Sequence, residues 1–503
     1  MKKSKVFYGT YRDSVLLMKM AASIRKMPDV QSAEVMMASE SNKAILNALG
    51  LLTDEIQQAA NTDLAVSVMA DTEDTIAKAI DKAEDLILFG EQTEGYANTS
   101  EALLNYPDAN LALISIAGEY AAEEAEKALR SGMNVMIFSD NVDIEDELRI
   151  KQYAESQGLF VMGPDCGTAM INGAGLAFCN SVRRGNVGIV GASGTGTQEA
   201  MVLLDKNLVG ISHAIGTGSN DIKQSIGGIT MLHGIRLLQE NADTDYILII
   251  GKPTAPEVEE KIVAELKKGP KPAVVCLLGG ERSGTDGNIQ YAQNLEEAAM
   301  MMVAKVKGTK KNYELDDKLI AVAKEKGSAL AASQRNVRAL YTGGTLAGEA
   351  CLILGSAMPI ESNIKIRTAA LMEDPRKPSG SSVVDLGDDV FTKGKPHPMI
   401  EPTLRAEHMV KQAEDPTVGV ILMDFVIGYG VHEDPVGCTI PYIKQAQEIA
   451  ATQNRNLVII GYVLGTETDP QKIDEQNKML EDCGVLVAQT NAQAAKLALE
   501  VIR

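Results

Sequence analysis

The chain has 503 residues, 45% of them apolar, which is too long for one core and ample for three or four domains. Its 48 Lys and Arg face 68 Asp and Glu, a net charge of −20, which argues against nucleic acid or an anionic membrane as a partner and makes any anion site a local one. Trp is absent and aromatics reach only 4%, so no base-stacking platform is expected.

From the N-terminus, Met-Lys-Lys-Ser-Lys leads straight into a strand pattern and not into a signal-peptide apolar core. Apolar periodicity predicts strands at 6–10, 33–37 and 64–68 and helices at 14–26, 43–49 and 73–86, a small α/β module, ferredoxin-like or similar, over 1–95. Residues 90–101 are polar and read as a linker. A βαβ series follows, with strands at 111–116, 135–138 and 160–162 and helices at 121–131 and 143–157, a Rossmann-like, CoA-binding-type domain over 96–183. The next segment, 184–310, has strands at 187–190, 246–250 and 273–278 and a helix at 294–306. A charged linker over 311–331, helical at 316–326, precedes the last segment, 332–503, with strands at 339–341, 420–425, 457–461 and 485–487. The last two segments are expected to be flavodoxin-like domains of similar plan, so the fold class is α/β with parallel sheets.

Six cysteines at 166, 179, 276, 351, 438 and 483 form no C-x-x-C pair, and five histidines give no zinc pattern, so a reduced cytoplasm and no metal are expected. Cys276 lies in an apolar run and reads as core. Cys166, in a Gly-Pro-Asp-Cys-Gly turn, is the one thiol with a case as a nucleophile, although a packed cysteine is the simpler reading. No stretch approaches the length of a transmembrane helix.

Two glycine-rich turns carry the chemistry. One is Gly-Ala-Ser-Gly-Thr-Gly-Thr-Gln-Glu, residues 191–199; the other is Gly-Gly-Thr-Leu-Ala-Gly-Glu, residues 343–349. Each joins a strand to a helix. A helix start presents unpaired N–H groups and a positive dipole end, and glycine lets an anion come close. Ser193, Gly194, Thr195, Gly196 and Thr197, with Gly343, Gly344 and Thr345, are therefore candidate phosphate ligands, the alternative being two helix caps that bind only water.

These turns resemble those of the succinyl-CoA synthetase superfamily, from about residue 111 to the C-terminus, where two helix N-termini cradle a phosphohistidine. The chain departs from that pattern. Residues 279–288, Gly-Gly-Glu-Arg-Ser-Gly-Thr-Asp-Gly-Asn, fill the place of the histidine turn, and no histidine occurs between 234 and 396. Lys252 stands where the superfamily has the glutamate that orients its histidine. Neither an ATP-grasp domain nor the glycine-rich CoA turn is found. The whole chain is similar to the FdrA family, most specifically at 385–400, Asp-Leu-Gly-Asp-Asp-Val-Phe-Thr-Lys-Gly-Lys-Pro-His-Pro-Met-Ile, and at 424–435, Asp-Phe-Val-Ile-Gly-Tyr-Gly-Val-His-Glu-Asp-Pro.

That resemblance implies a subunit of oxamate carbamoyltransferase in anaerobic allantoin (purine) catabolism, working with two other subunits. Its small anionic ligands would be phosphate, oxalurate and carbamoyl phosphate, and its assembly a homodimer or hetero-oligomer. The reaction calls for no cofactor. The alternatives are a ligase subunit of the NDP-forming acyl-CoA synthetase type without its phosphohistidine, and a non-catalytic scaffold. Lys252, His397 and Arg282 are the expected catalytic groups: Lys252 at a strand's C-terminal end, His397 on a loop held by Pro396 and Pro398, and Arg282 as a clamp for a carboxylate. A surface lysine and a structural histidine are the alternatives for the first two. Arg335 and Arg338 flank the second turn; His213, His233 and His432 read as packing, surface or interface residues.

Overall fold

The computed structural model describes residues 1–10, 14–89, 96, 98–309, 314–393 and 395–503. Contacts divide them into two compact units, one built on residues 1–107 and the other on 108–393 and 397–503.

In the first unit, Leu64–Ala70 is the central strand, antiparallel to Lys2–Phe7 on one side and Val30–Met37 on the other. Alternation along the central strand sends Leu64, Val66 and Val68 into one core and Ala65 into another. Helices Ser14–Arg25 and Glu73–Phe89 cover the first face through residues such as Met20, Ile24, Ile76 and Ile87. Leu46 of Glu40–Ala48 and Ile56 of the short helix Asp54–Gln58, which periodicity did not predict, cover the other. Two parallel strands around an antiparallel one form the split βαβ order of a ferredoxin-like module without its fourth strand. Of the expected linker at 90–101, residues 90–95 and 97 lie outside the described residues; its end begins helix Thr99–Asn105, capped by Asn98.

The second unit opens with three short parallel strands, Leu111–Ile114, Asn134–Ile137 and Val161–Met162. The hairpin Thr168–Ile171 and Ala174–Ala177 then pairs with Ile211–Gly216, so it extends the following sheet and not its own βαβ series. In that following sheet the parallel strands run Ile211–Gly216, Arg184–Gly191, Tyr246–Gly251, Ala273–Leu277 and Ile289–Tyr291, the flavodoxin order 2-1-3-4-5. The last sheet repeats this order with Ser382–Asp385, Asn336–Tyr341, Val418–Val426, Val458–Leu464 and Leu486–Ala488, plus two short strands beyond the first edge. Of the span between these sheets, 310–313 lie outside the described residues, and helix Asp317–Ser328 packs on helix Asn491–Ile502.

Helices Gly194–Lys206, Leu295–Lys307, Gly344–Gly355 and Asn491–Ile502 share one continuous core that joins the two flavodoxin-like sheets. Their first helices therefore meet, and both start at the C-terminal edge of a parallel sheet, where such folds bind ligands. Among the described residues no helix is long and apolar enough to cross a membrane.

Candidate functional site

Each glycine turn is held by different chemistry. In the first, Ser193 is the N-cap, and its Oγ accepts from Gly196 N at 3.0 Å. In the second, the cap position is Gly343 and no side chain caps the helix, so the turn is fixed from outside. Thr342 donates its N–H to Asp424 Oδ1 at 2.9 Å and its hydroxyl to Oδ2 at 2.6 Å, and Arg405 pairs with the same carboxylate at 2.8 Å. All three residues are buried.

The turns meet, and they meet directly. Ser193 Oγ and Thr345 Oγ1 lie 2.5 Å apart. A Cβ at Gly196 would fall 2.7 Å from the Thr345 methyl, and Thr195 fills the corresponding space at Gly343. The expected cradle between 193–197 and 343–345 is thus occupied by side chains. A cavity of about 170 Å³ opens beside the second turn, lined by Gly344 and Thr345 but by none of Ser193, Gly194, Thr195, Gly196, Thr197 or Gly343. That volume is below the roughly 300–1,000 Å³ typical of drug-sized ligand sites, so it suits a small molecule.

Lys252, at the end of strand Tyr246–Gly251, and Asp385, at the end of Ser382–Asp385, both line this cavity, with Asn363 and Asp388. A Cβ on Gly344 would fall 2.7 Å from Asp385 Oδ2 and 3.6 Å from Lys252 Nζ, so only glycine leaves this corner open. Among the described residues the Lys252 ammonium makes no hydrogen bond or ion pair. Burial pushes the Asp385 carboxyl up to about 7 against the pull of Lys252, and burial likewise raises Asp165, again opposed by Lys252. One cation therefore serves several carboxyl groups beside a helix start with no side-chain cap.

His397 does not line this cavity but lies beside Asp385. Its Nε2 would lie 2.6 Å from a Cβ on Gly387, with Asp385 Oδ1 3.2 Å from the same point. Burial lowers it to about 4, so the ring is neutral at pH 7, and its Nδ1 accepts from Met399 N at 3.2 Å, which leaves the proton on Nε2. Arg282 is not brought there. It pairs with Glu259 at 2.9 Å and lies over the Tyr291 ring, because its turn continues into the hairpin Gly284–Asp286 and Ile289–Tyr291.

The remaining candidates are structural. Burial pushes the Cys166 thiol up to about 12, which removes its thiolate at neutral pH. Arg338 is buried against Gln412 and Asp415, and Arg335 donates to Ile502 O. His213 accepts from Asn172 N, His233 packs edge-on against Phe160, and His432 accepts from Asp434 N.

Two glutamates escaped the sequence reading. Glu199 and Glu349 each stand six residues after the N-cap of their helix, and each reaches across to the other flavodoxin-like domain. Glu199 accepts from Tyr462 OH at 2.5 Å and from Asn491 N, the first residue of helix Asn491–Ile502. Glu349 accepts from Leu295 N at 2.7 Å, the first residue of helix Leu295–Lys307, and from Asn491 Nδ2 at 2.8 Å. Each domain's first helix thus caps the other's last. Burial is the main cause that pushes Glu199 up to about 8 and Glu349 to about 7, and their mutual repulsion adds to the rise at Glu199.

Family models match three stretches of the chain, and the CoA-binding one falls on the third segment, not on the 96–183 stretch where a CoA-binding-type domain was expected. A CoA-ligase family matches residues 340–501, a CoA binding domain family matches 182–279, and a family described as "AllF, heavy metal-associated domain" matches 1–102. "Uncharacterized protein YahF" of Escherichia coli (strain K12) is 43% identical over 504 residues, covering 98% of this chain and 97% of that protein. The succinate–CoA ligase [ADP-forming] subunit alpha of Aquifex aeolicus (strain VF5) is 28% identical over 213 residues, 40% of this chain and 68% of that protein. Among solved structures, ATP citrate lyase from Methanothrix soehngenii, in complex with citrate and coenzyme A, matches 81% of this chain and 85% of its own at 14% identity and a TM-score of 0.37. The residues of the N-terminal unit do not fit a heavy metal. Positions 1–107 contain neither a Cys thiolate nor a His imidazole to hold one, and among the described residues no group of three or more His, Cys, Asp and Glu is placed to hold an ion.

Proposed function

This chain belongs to the FdrA/AllF family, and we propose that it is a subunit of oxamate carbamoyltransferase, which converts oxalurate and phosphate to oxamate and carbamoyl phosphate in anaerobic allantoin breakdown. The observation that supports this is the placement of Lys252 beside the uncapped helix start at Gly344, in one small cavity. Where the superfamily keeps a glutamate for its phosphohistidine, this chain offers a cation and backbone N–H groups to a free anion. Carbamoyl transfer to phosphate needs the two reactants held together and the developing oxyanion stabilised. The N–H groups at Gly344 and Thr345 with Lys252 supply the second; apolar walls from Leu278, Ile364 and Ile366 help confine the first. The partners are two further subunits. A ligase-type reading draws on the CoA-ligase and CoA binding domain matches over 340–501 and 182–279, and a scaffold reading remains its non-catalytic rival.

Lys252→Ala tests the assignment. In the complex reconstituted with its partners, the KM for phosphate is expected to rise about 10–100-fold, roughly 1.4–2.7 kcal/mol of lost binding, and the KM for oxalurate to rise less. Because the ammonium is partly exposed and unpaired among the described residues, the fold should persist. On the isolated chain, phosphate should raise the melting temperature more than chloride does at matched ionic strength, by about 2.7 kcal/mol of stabilisation at a hundredfold excess over Kd, and the variant should lose most of that gain. Equal effects on both substrates would make Lys252 a structural residue. No effect on either, with turnover intact, would favour the scaffold.

A further inference from the structure

Carbamoyl transfer from oxalurate to phosphate leaves a proton to be moved. The C–N bond to the departing amide breaks and a C–O bond to phosphate forms. The nitrogen must gain a proton, and hydrogen phosphate must lose one when it becomes the mixed anhydride carbamoyl phosphate. The backbone N–H groups cannot make that exchange, and the Lys252 ammonium is placed to hold the phosphate charge.

Resting on the carbamoyltransferase reading, we propose that Asp385 is the acid–base group of the pocket, giving a proton from Oδ2 to the leaving nitrogen of oxalurate and taking it back from the attacking phosphate. The step balances with no further reactant, and the carboxyl group returns to its starting state. The geometry assigns this role by leaving one oxygen free. Oδ1 accepts from Gly387 N at 2.9 Å. Asn363 fixes the backbone on both sides, its Oδ1 accepting from Asp385 N and its Nδ2 donating to Asp385 O, each at 2.9 Å. Oδ2 has no hydrogen-bond partner among the described residues and faces the helix start at Gly344, where the phosphate is placed. It sits there because strand Ser382–Asp385 pairs beside Asn336–Tyr341, Tyr341 opposite Asp385, so the acid and the second glycine turn leave the sheet side by side.

The surroundings keep the proton available near neutrality. Burial and the carboxylates of Asp388 and Asp424 push the Asp385 carboxyl up to about 7, against Lys252 and the Gly387 N–H, while neutral His397 and the unionised Cys351 thiol also face it without adding charge. Asp388 lies on its own turn, Asp424 on strand Val418–Val426, Lys252 after strand Tyr246–Gly251, and Cys351 on helix Gly344–Gly355.

Asp385→Asn keeps the acceptor for Gly387 N and removes the acid. In the reconstituted complex its kcat is expected to fall roughly 10²–10⁴-fold, with the KM for phosphate within about threefold of wild type. Wild-type kcat should decline as pH rises through the range in which Asp385 ionises, and the variant should lose that limb. Phosphate should still raise the melting temperature of the isolated variant, which shows that it is folded and binds. A wild type that turns over while Asp385→Asn keeps its kcat and the same limb would overturn the proton relay alone. Loss of activity with the limb preserved in the residual rate, or with the phosphate-dependent melting shift gone, would likewise overturn it and make Asp385 structural. A wild-type complex that releases no oxamate at all would remove the carbamoyltransferase reading and the relay with it.

Discussion

Asp424→Ala is expected to destabilise the C-terminal flavodoxin-like domain by roughly 3–5 kcal/mol, the usual result of leaving one partner of a buried ion pair uncompensated. The partner here is Arg405, fully buried, whose Nη1 also donates to the Asp424 backbone carbonyl. The same substitution strips Thr342 of both acceptors, so the turn that begins helix Gly344–Gly355 loses its outside support. With about 2–4 °C lost per kcal/mol in a domain of this size, the melting transition should drop by roughly 10 °C. Asp424→Asn, which keeps an acceptor for Thr342 but not the charge, should fall between the variant and wild type. Calorimetry of the three proteins checks this. A drop under about 1 kcal/mol for the alanine variant would mean that Asp424 does not hold the turn.

The second large effect is a pH dependence. Glu199 and Glu349 both have folded-state values raised above their unfolded ones, so the folded protein holds their protons more tightly. Their contribution to stability is fully present below the unfolded value near 4.5 and is lost as pH rises through about 7 and 8. Melting temperature should therefore fall between pH 5.5 and 9 by an amount worth a few kcal/mol, on the order of 5–10 °C. Other raised carboxyls add to the slope, and the lowered histidines oppose it, so the test is a difference between proteins. Glu199→Gln has no charge to ionise, and the Tyr462 hydroxyl can turn to suit the amide. Its loss on alkalisation should be clearly smaller than wild type's. Parallel curves for the two proteins would show that the swapped caps stay ionised throughout and carry no pH sensitivity.

The architecture was legible because its strands are apolar runs bounded by glycine turns. Leu248, Ile249 and Ile250, or Val420 through Met423, announce buried parallel strands. Lys252 was found from its place at the end of such a strand, and the structure puts it at the cavity. What local pattern missed depends on distant chain. Arg282 sat in the right turn by sequence, but the hairpin after it carries the side chain to Glu259. Hairpin 168–177 is rich in Gly and Ala and gave no strand signal. Glu349 lies on a helix buried nearly all round, and its meaning appears only when Leu295 and Asn491 arrive from elsewhere. Asp385 opened a stretch already singled out, yet nothing local shows that it faces Gly344. The phosphate cradle was expected between two open helix ends; the hydroxyls of Ser193 and Thr345 close that gap, and a cavity opens on the Lys252 side.

The most direct test is a single isotope experiment on the chain co-expressed with the two further subunits proposed for it. Oxalurate and labelled inorganic phosphate are supplied without nucleotide or CoA. Oxamate is expected to be released only when phosphate is present, label to appear in carbamoyl phosphate in equal amount, and none to remain on the protein. Acid-labile label held on a histidine, or turnover that requires ATP and CoA and ignores oxalurate, would contradict it.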